Sequence, residues 1–358
     1  MSDNLRPITV LLTGCGAPGA PGIIKCLRKN GERDIRIVGV DMNENAGARG
    51  MVDAFYTVPA AKDIHFIDRI LEICHLENVD VVEPIVTREL MKFAEAVSEF
   101  EKINVKVVVM DPSVLAVVNN KANLLKAMKV AGFPTAEFEV VHTVEELKAA
   151  FQKLGYPQKA ICVKGAEGNG SRGVRIVDPS ISRYDLFFNS KPNSMHISYD
   201  ELITTLSEKD TIPEMLVMEH LPGEEYGVDV LCKDGEILAQ IGRYNYDVNS
   251  SIPQGCIIEK REAPFALSAQ ICEKFGLNFH ANFDFKYDAS GVPQLIEINP
   301  RLSATIVSYA AAGVNFPYLG IKCILGEEIS ECIPLYGTRM MRHYQEEFFA
   351  PDGSPINW

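Results

Sequence analysis

The stretch Leu295-Ile-Glu-Ile-Asn-Pro-Arg301 sets the terms on which the rest of the chain is read. As a strand it alternates, with Ile296 and Ile298 toward one face and Glu297 and Asn299 toward the other. A carboxylate and a neutral amide on one face make an oxygen-ligand pair suited to Mg²⁺. Pro300 has no N–H to give and ends the ladder. Arg301 then sets a fixed cation beside that pair, which makes sense if something strongly anionic lies between them. A nucleoside triphosphate is the obvious candidate. The plainer alternative is an edge strand with a polar outer face that ends in Pro-Arg, so the flanking sequence has to decide.

Upstream, Asp284 precedes Glu297 by a strand, the turn Asp288–Pro293 and a second strand. A hairpin of that length would bring Asp284 across from Glu297, so that three oxygen side chains converge on one or two Mg²⁺ ions and phosphate oxygens. The alternative is an aspartate that solvates a strand end. Lys164-Gly-Ala-Glu-Gly168-Asn-Gly170-Ser-Arg-Gly173 joins two strand-like segments, so it is not a Walker loop, which opens a helix with Gly-Lys-Ser/Thr. Its glycines let successive backbone N–H groups turn toward an anion, and Lys164 adds a point charge for a phosphate. A flexible glycine-rich hairpin is the bland alternative. Val217-Met-Glu-His-Leu-Pro-Gly-Glu-Glu-Tyr226 runs from an apolar strand into an acidic turn. Its backbone at 219 and 221 could read an adenine edge, and Glu225 could accept from ribose hydroxyls. The bland alternative is a solvated acidic turn.

A chain of 358 residues is too long for one ordinary core, and two or three packed units are expected. A formal net charge of −13 argues against nucleic acid or an anionic membrane as the main partner. No apolar run reaches membrane-span length, and Met1-Ser-Asp-Asn-Leu-Arg-Pro7 leads into a strand without a signal-peptide core. Nine scattered cysteines, an odd number with no Cys-x-x-Cys pair, read as reduced thiols in a cytoplasmic protein. No His/Cys cluster has zinc spacing.

Residues 8–110 alternate strand and helix in a βαβαβ pattern, hence a small doubly wound parallel sheet. The expected strands are 8–12, 35–40, 79–84 and 105–110, and the helices 21–30, 64–75 and 89–100. Helices follow at 113–119 and 121–131. A second α/β stretch has strands at 137–141, 160–164 and 174–177 and a helix at 143–154 that opens on a Thr143–Glu146 capping box. Residues 178–198 read as an irregular insertion, 199–207 as a helix, and 215–220, 225–232 and 237–244 as antiparallel strands. A polar loop is expected at 247–256, helices at 266–275, 303–312 and 316–325, and paired strands at 282–287 and 294–298. No internal repeat is evident.

Gly14-Cys-Gly16-Ala-Pro-Gly19, with Asp41 ending the second strand, fits a dinucleotide fingerprint and supports a competing reading, an NAD(P)-dependent oxidoreductase. Pro18 and Pro21 weaken it, because they remove N–H donors that should face a pyrophosphate.

Taken in order, Val163-Lys164 with the 167–173 loop, Leu221-Pro-Gly-Glu-Glu-Tyr-Gly-Val-Asp229, Asp284 and Glu297-Ile-Asn-Pro-Arg301 resemble the ATP-grasp superfamily. The branch is that of ligases like the carbamoyl-phosphate-synthase large subunit. The resemblance implies an α/β fold, a Rossmann-like pre-ATP-grasp domain followed by a two-lobed α+β ATP-grasp fold. It divides the chain into 1–112 (Rossmann-like), 113–216 (linker helices and small lobe with the glycine loop), 217–335 (large lobe) and 336–358 (C-terminal extension). By the same resemblance Lys121 and Lys164 contact ATP phosphates, and Gly168, Asn169, Gly170, Ser171 and Gly173 close over them. Met218, Glu219 and Leu221 form the adenine hinge, and Glu225 holds the ribose. Asp284, Glu297 and Asn299 hold Mg²⁺ or Mn²⁺, and Arg301 stabilises the transferring phosphoryl group. Arg243 anchors the substrate carboxylate.

Many relatives carry Glu where this chain has Met218, which shifts the adenine contacts onto backbone and Glu219. The chain has no counterpart of the second half or amidotransferase subunit of a full carbamoyl-phosphate synthase. The activity implied is ATP-dependent ligation of a small carboxylate to an amine through an acyl phosphate, in a cytoplasmic protein, as a homodimer by analogy with relatives. A non-catalytic ATP-binding protein of the same fold is the other alternative.

Overall fold

The computed structural model describes residues 5–168, 173–189, 195–249, 252–343, 345–346, 348–351 and 353–356. Asn169, Gly170 and Ser171 of the expected phosphate loop lie outside them. Two compact units emerge. Unit one comprises residues 1–115, 226–283 and 299–358, and unit two residues 116–225 and 284–298.

The first sheet of unit one is parallel. It contains β1 (Ile8–Leu12), β2 (Ile35–Asp41), β3 (Ala54–Thr57), β4 (Val81–Glu83) and β5 (Lys106–Val107), in the order β3-β2-β1-β4-β5. The helices between them are α1 (Ala20–Arg28), α2 (Phe66–Glu77), α3 (Leu90–Glu95) and α4 (Val97–Lys102). The order confirms the doubly wound sheet expected from the apolar runs and adds a strand, β3. The expected 89–100 helix is two helices that meet at Ala96, and the expected 105–110 strand pairs only over Lys106–Val107.

α5 (Pro112–Val118) leads into unit two, which holds α6 (Lys121–Val130), β6 (Phe138–Val141), α7 (Val144–Lys153), β7 (Ile161–Gly165), β8 (Arg175–Val177), α8 (Arg183–Asn189), α9 (Tyr199–Leu206) and β9 (Met215–Glu219). Its four strands run in the order β6-β9-β7-β8, all antiparallel. Thr143 caps α7 by accepting from the Glu146 N–H at 3.1 Å. The Glu146 carboxylate returns to the His142 N–H at 2.6 Å, one residue earlier than a strict capping box requires. The segment read as an irregular insertion contains α8, a helix with no buried residue.

A third sheet has the order β14-β13-β10-β11-β12-β15, with β10 (Glu225–Lys233), β11 (Glu236–Asn249), β12 (Ile252–Ile258), β13 (Phe279–Tyr287), β14 (Pro293–Asn299) and β15 (Arg339–Met341). β11 and β12 reach into the expected 247–256 loop as an antiparallel pair, with an irregular register around Asp247. α10 (Glu262–Phe275), α11 (Val307–Ala311) and α12 (Phe316–Leu325) complete the helices; α11 starts four residues later than expected. β16 (Phe348–Phe349) and β17 (Pro355–Ile356) form a small hairpin.

Unit one has a large apolar core among its described residues. It joins Val10, Leu12 and Ile37 of the parallel sheet, Ile23 and Leu27 of α1, Ile241 and Ile258 of the third sheet, and Leu302, Tyr309, Phe316 and Ile321 from the last part of the chain. Unit two packs Leu147 and Phe151 of α7 against Ile161, Val163 and Val217 of its sheet. The thiols of Cys15, Cys26 and Cys74 are buried, and burial pushes each up to about 12. Among the described residues no helix is long and apolar enough to cross a membrane.

The first turn of α1 is fitted closely against the segment before α11. A Cβ added at Gly19 would stand 2.9 Å from the Ala304 Cα, a backbone atom that cannot rotate away. Gly19→Val is expected to cost about 1–3 kcal/mol through overpacking, read as a lowered urea midpoint with an unchanged m-value.

Candidate functional site

In unit two Asn120 opens α6, its side chain accepting from the Asn123 N–H at 3.0 Å. That cap fixes Lys121 as the first helical residue, and the Lys121 N–H donates to the Ala166 carbonyl at 3.0 Å. Its ammonium then donates to the Gly168 carbonyl at 2.8 Å and pairs with Glu297 at 3.0 Å. Lys164 lies on β7 and is only 6% exposed. It donates to the Ile296 carbonyl of β14 at 3.1 Å. Burial pulls its ammonium down from the usual lysine range, while Glu297 and Asp284 among its neighbours push back and Lys121 adds to the fall. Two lysines and two carboxylates, drawn from α6, β7, β13 and β14, are thus gathered in one unit. Gly173, at the far end of the glycine loop, has φ of +76°, a conformation that favours glycine.

The expected hinge is the end of a central strand together with the turn beyond it. Met218 is buried between Phe138 of β6 and Cys162 of β7, its ladder partners. The Glu219 carboxylate accepts from the Glu137 N–H at 3.0 Å, so one of its oxygens serves the sheet. The His220 N–H donates to Ala160 at 3.1 Å, and Leu221 is buried. The turn is laddered to β13 by Gly223 N–H to Tyr287 O at 2.9 Å and Tyr287 N–H to Glu224 O at 3.1 Å. Glu225 is thereby brought within 3.7 Å of the Lys286 ammonium. The sequence reading passed over Lys286, although its spacing of two from Asp284 on a strand signals a shared face.

Asn299 and Arg301 follow Glu297 along the chain and belong to unit one. The Arg301 guanidinium donates to Asn299 Oδ1 at 3.2 Å, Thr87 Oγ1 at 3.1 Å and the Leu302 carbonyl at 2.8 Å. Arg243 is a buried cation, 3% exposed, where the sequence reading expected one open to substrate. It donates to Asp229 at 2.6 Å, to the Tyr309 hydroxyl and to Asn245 at 3.2 Å. Tyr309 and Asn282 donate to the same Asp229 oxygen at 2.9 and 3.1 Å. Among the described residues no three His, Cys, Asp or Glu side chains gather as a metal cluster. The expected Mg²⁺ ligands are two carboxylates and an amide, an oxygen set that suits a hard cation which keeps some of its waters.

The glycine turn of unit one is closed on itself. Gly14 has φ of +64°, and the Gly16 N–H donates to Asp41 Oδ2 at 2.7 Å. The carboxylate that would meet a dinucleotide ribose instead holds the turn, and the start of α1 is packed on Ala304. The oxidoreductase alternative loses its two structural requirements there.

Two family models match, "PylC-like, N-terminal domain" over residues 10–108 and "ATP-grasp in the biosynthetic pathway with Ter operon" over residues 211–345. The biotin carboxylase domain of a Hydrogenobacter thermophilus 2-oxoglutarate carboxylase, solved as a dimer with MgADP and bicarbonate, superposes with a TM-score of 0.67. It is 19% identical and the match covers 90% of this chain and 70% of that one. The chain carries the ATP-grasp fold. Curated relatives with this likeness include a formate-dependent phosphoribosylglycinamide formyltransferase of Wolinella succinogenes, 24% identical over 55% of this chain and 48% of its own length. Another is a D-alanine–D-alanine ligase of Ectopseudomonas mendocina, 29% identical over 55% of this chain and 61% of its own. The chain thus spans about half to three-fifths of the length of these two relatives. Within the ATP-grasp fold the parallel sheet falls in the PylC-like part, and β13 and β14 fall in the ATP-grasp part.

Beside the glycine turn, burial and then Asp41 push the Glu89 carboxyl up, against a hydrogen bond with Thr13, to about 7. A carboxyl raised on folding contributes stability that is complete at acid pH and is lost as pH rises through the folded value. Between about pH 4.5 and 7, Glu89→Gln is therefore expected to lose less stability than the wild type. Urea midpoints at the two pH values measure the difference.

Proposed function

We propose that this ATP-grasp chain is an ATP-dependent carboxylate–amine ligase that works through an acyl phosphate. The observation that carries the reading is the buried Lys164 ammonium, gathered with Lys121, Asp284 and Glu297 in one unit. Such a group is costly to bury unless anions surround it. The mixture of two lysines and two carboxylates suits a polyphosphate with its cation better than it suits either alone.

Lys121 and Lys164 would bind the phosphate oxygens of the nucleotide, and Gly168 with Gly173 would close the loop over them. Asn169, Gly170 and Ser171 complete that loop by sequence alone. The hinge at Met218, Glu219 and Leu221 would take the adenine, mainly by backbone, since the Met218 side chain is buried and a Glu219 oxygen already serves Glu137. Glu225 would accept from the ribose. Asp284, Glu297 and Asn299 would hold Mg²⁺, which when bound neutralises charge on the phosphoryl oxygens. Arg301 takes its part from its place after Glu297 in the chain.

A carboxylate is a poor electrophile toward amines at neutral pH. In the first step its oxygen attacks the γ-phosphorus, the bond to the β-phosphate oxygen breaks, and ADP leaves. The amine nitrogen then attacks the acyl carbon, the C–O bond to phosphate breaks, and the amine proton passes to solvent. Lysines and Arg301 offset the charge that develops on the phosphoryl oxygens. Loop closure excludes water, which would otherwise consume the acyl phosphate. Arg243, buried in its network with Asp229 and Tyr309, fits a positioning role better than direct contact with substrate. The substrates are a small carboxylate and an amine, and the protein is cytoplasmic and homodimeric by analogy.

Thermal-shift measurement with Mg-ATP and with NADPH tests the reading at its base. Mg-ATP is expected to raise the melting temperature, and stabilisation by NADPH alone would overturn it. A phosphate-release screen of amino acids and small carboxylates is expected to find substrates. Nucleotide binding with no turnover on any of them would favour a non-catalytic ATP-binding protein. Glu297→Gln is expected to lower turnover by at least about 100-fold while Mg-ATP still shifts the melting temperature. Turnover like the wild type in that variant would remove Glu297 from the metal site.

A further inference from the structure

Lys286 lies on β13, two residues past Asp284, and Phe285 between them is buried. Strand alternation therefore puts Asp284 and Lys286 on one face. The Lys286 side chain is 24% exposed and faces Glu225, 39% exposed, across 3.7 Å. That separation is an ion pair too long for a hydrogen bond. Among the described residues the ammonium has no hydrogen-bond partner, so its three donors remain to be met.

Its surroundings indicate what could meet them. The Cys162 thiol, pushed up by burial, is drawn back by two ammonium groups, Lys164 and Lys286. His220, in the hinge, is pushed down by burial and then by Lys286. Lys286 thus stands in one neighbourhood with Cys162, His220 and Glu225, and Lys164 acts on the same Cys162. Two like charges near one thiol repel each other, and an anion shared between them turns that repulsion into attraction.

We propose that Lys286 binds the α-phosphate of the nucleotide, between the ribose held by Glu225 and the outer phosphates held by Lys164. The assignment rests on the proposed ATP-grasp function and adds to it a residue that the sequence reading passed over. Glu225 then has two tasks: it accepts from the ribose and it holds the Lys286 ammonium toward the phosphate. A solvated lysine on a strand face would do neither.

The test is calorimetric binding of ADP, AMP and adenosine to the wild type, Lys286→Met and Lys286→Arg, each with its fold checked by circular dichroism and melting temperature. Lys286→Met is expected to weaken ADP and AMP by about ten-fold and to leave adenosine unchanged, with Lys286→Arg recovering most of the loss. Equal weakening of all three ligands would mean a structural role and would overturn the assignment. Unchanged ADP and AMP affinity in a folded Lys286→Met protein would overturn it as well, with the ATP-grasp reading left standing. Failure of the wild type to bind ADP would instead overturn that underlying reading. If Lys286→Met does not fold, Lys286→Gln serves in its place with the same expected outcomes.

Discussion

An ammonium group taken out of water has to be compensated, and the candidate site is organised around that requirement at Lys164. The group sits at the end of β7 and reaches a carbonyl of β14, which ties two strands of unit two from different sheets through one side chain. Carboxylates at 284 and 297 supply the negative charge, and Lys121 competes for one of them. A set of this kind is close to neutral within itself. It can therefore exist without a ligand and still exchange its internal pairs for phosphate oxygens when one arrives. Buried ion pairs cost desolvation and are weak evidence for stability. The proposed function gives this costly gathering of charge around a buried ammonium a use.

The parallel sheet was readable because its strands are continuous apolar runs and its helices have one apolar face, signals that need no knowledge of partners. The heptad around Glu297 was readable for a similar reason: two-residue alternation and a terminating proline are local facts. Local signals failed where burial is partial. β3 is four residues long and only half-buried, so no apolar run announces it. α8 buries nothing, and its Tyr184, Phe187 and Phe188 face outward, so neither helical nor strand periodicity stands out. The polar stretch around 247–256 reads as a loop, yet antiparallel strands tolerate polar residues on an open face.

Site residues divide along the same line. Lys164, Asp284 and Glu297 could be named from spacing, and Lys121 only through the family resemblance. What they do to one another could not, because the partners lie far apart in sequence, as Lys164 and Ile296 do. Arg243 shows a different limit. Its strand position suggested an anchor for the substrate carboxylate, while its guanidinium is held by Asp229, to which Asn282 also donates, and by Tyr309. Lys286 was missed because a lysine in mid-strand reads as ordinary solvent-facing decoration until the residue opposite it is known.

The division of the chain into nested pieces bears on how the protein is made. The core beneath the parallel sheet includes Leu302, Ile306, Tyr309 and Phe316, and unit one draws on three separate stretches of sequence. During synthesis the first 115 residues emerge long before those partners exist. The sheet of unit one must therefore wait with part of its apolar surface uncovered, while unit two, which also lacks its last fifteen residues, is still incomplete. Long-range closure of this kind slows folding and lengthens the exposure of sticky intermediates. Neither unit can be lifted out with a single cut of the chain, so the fold is inherited, expressed and lost as a whole.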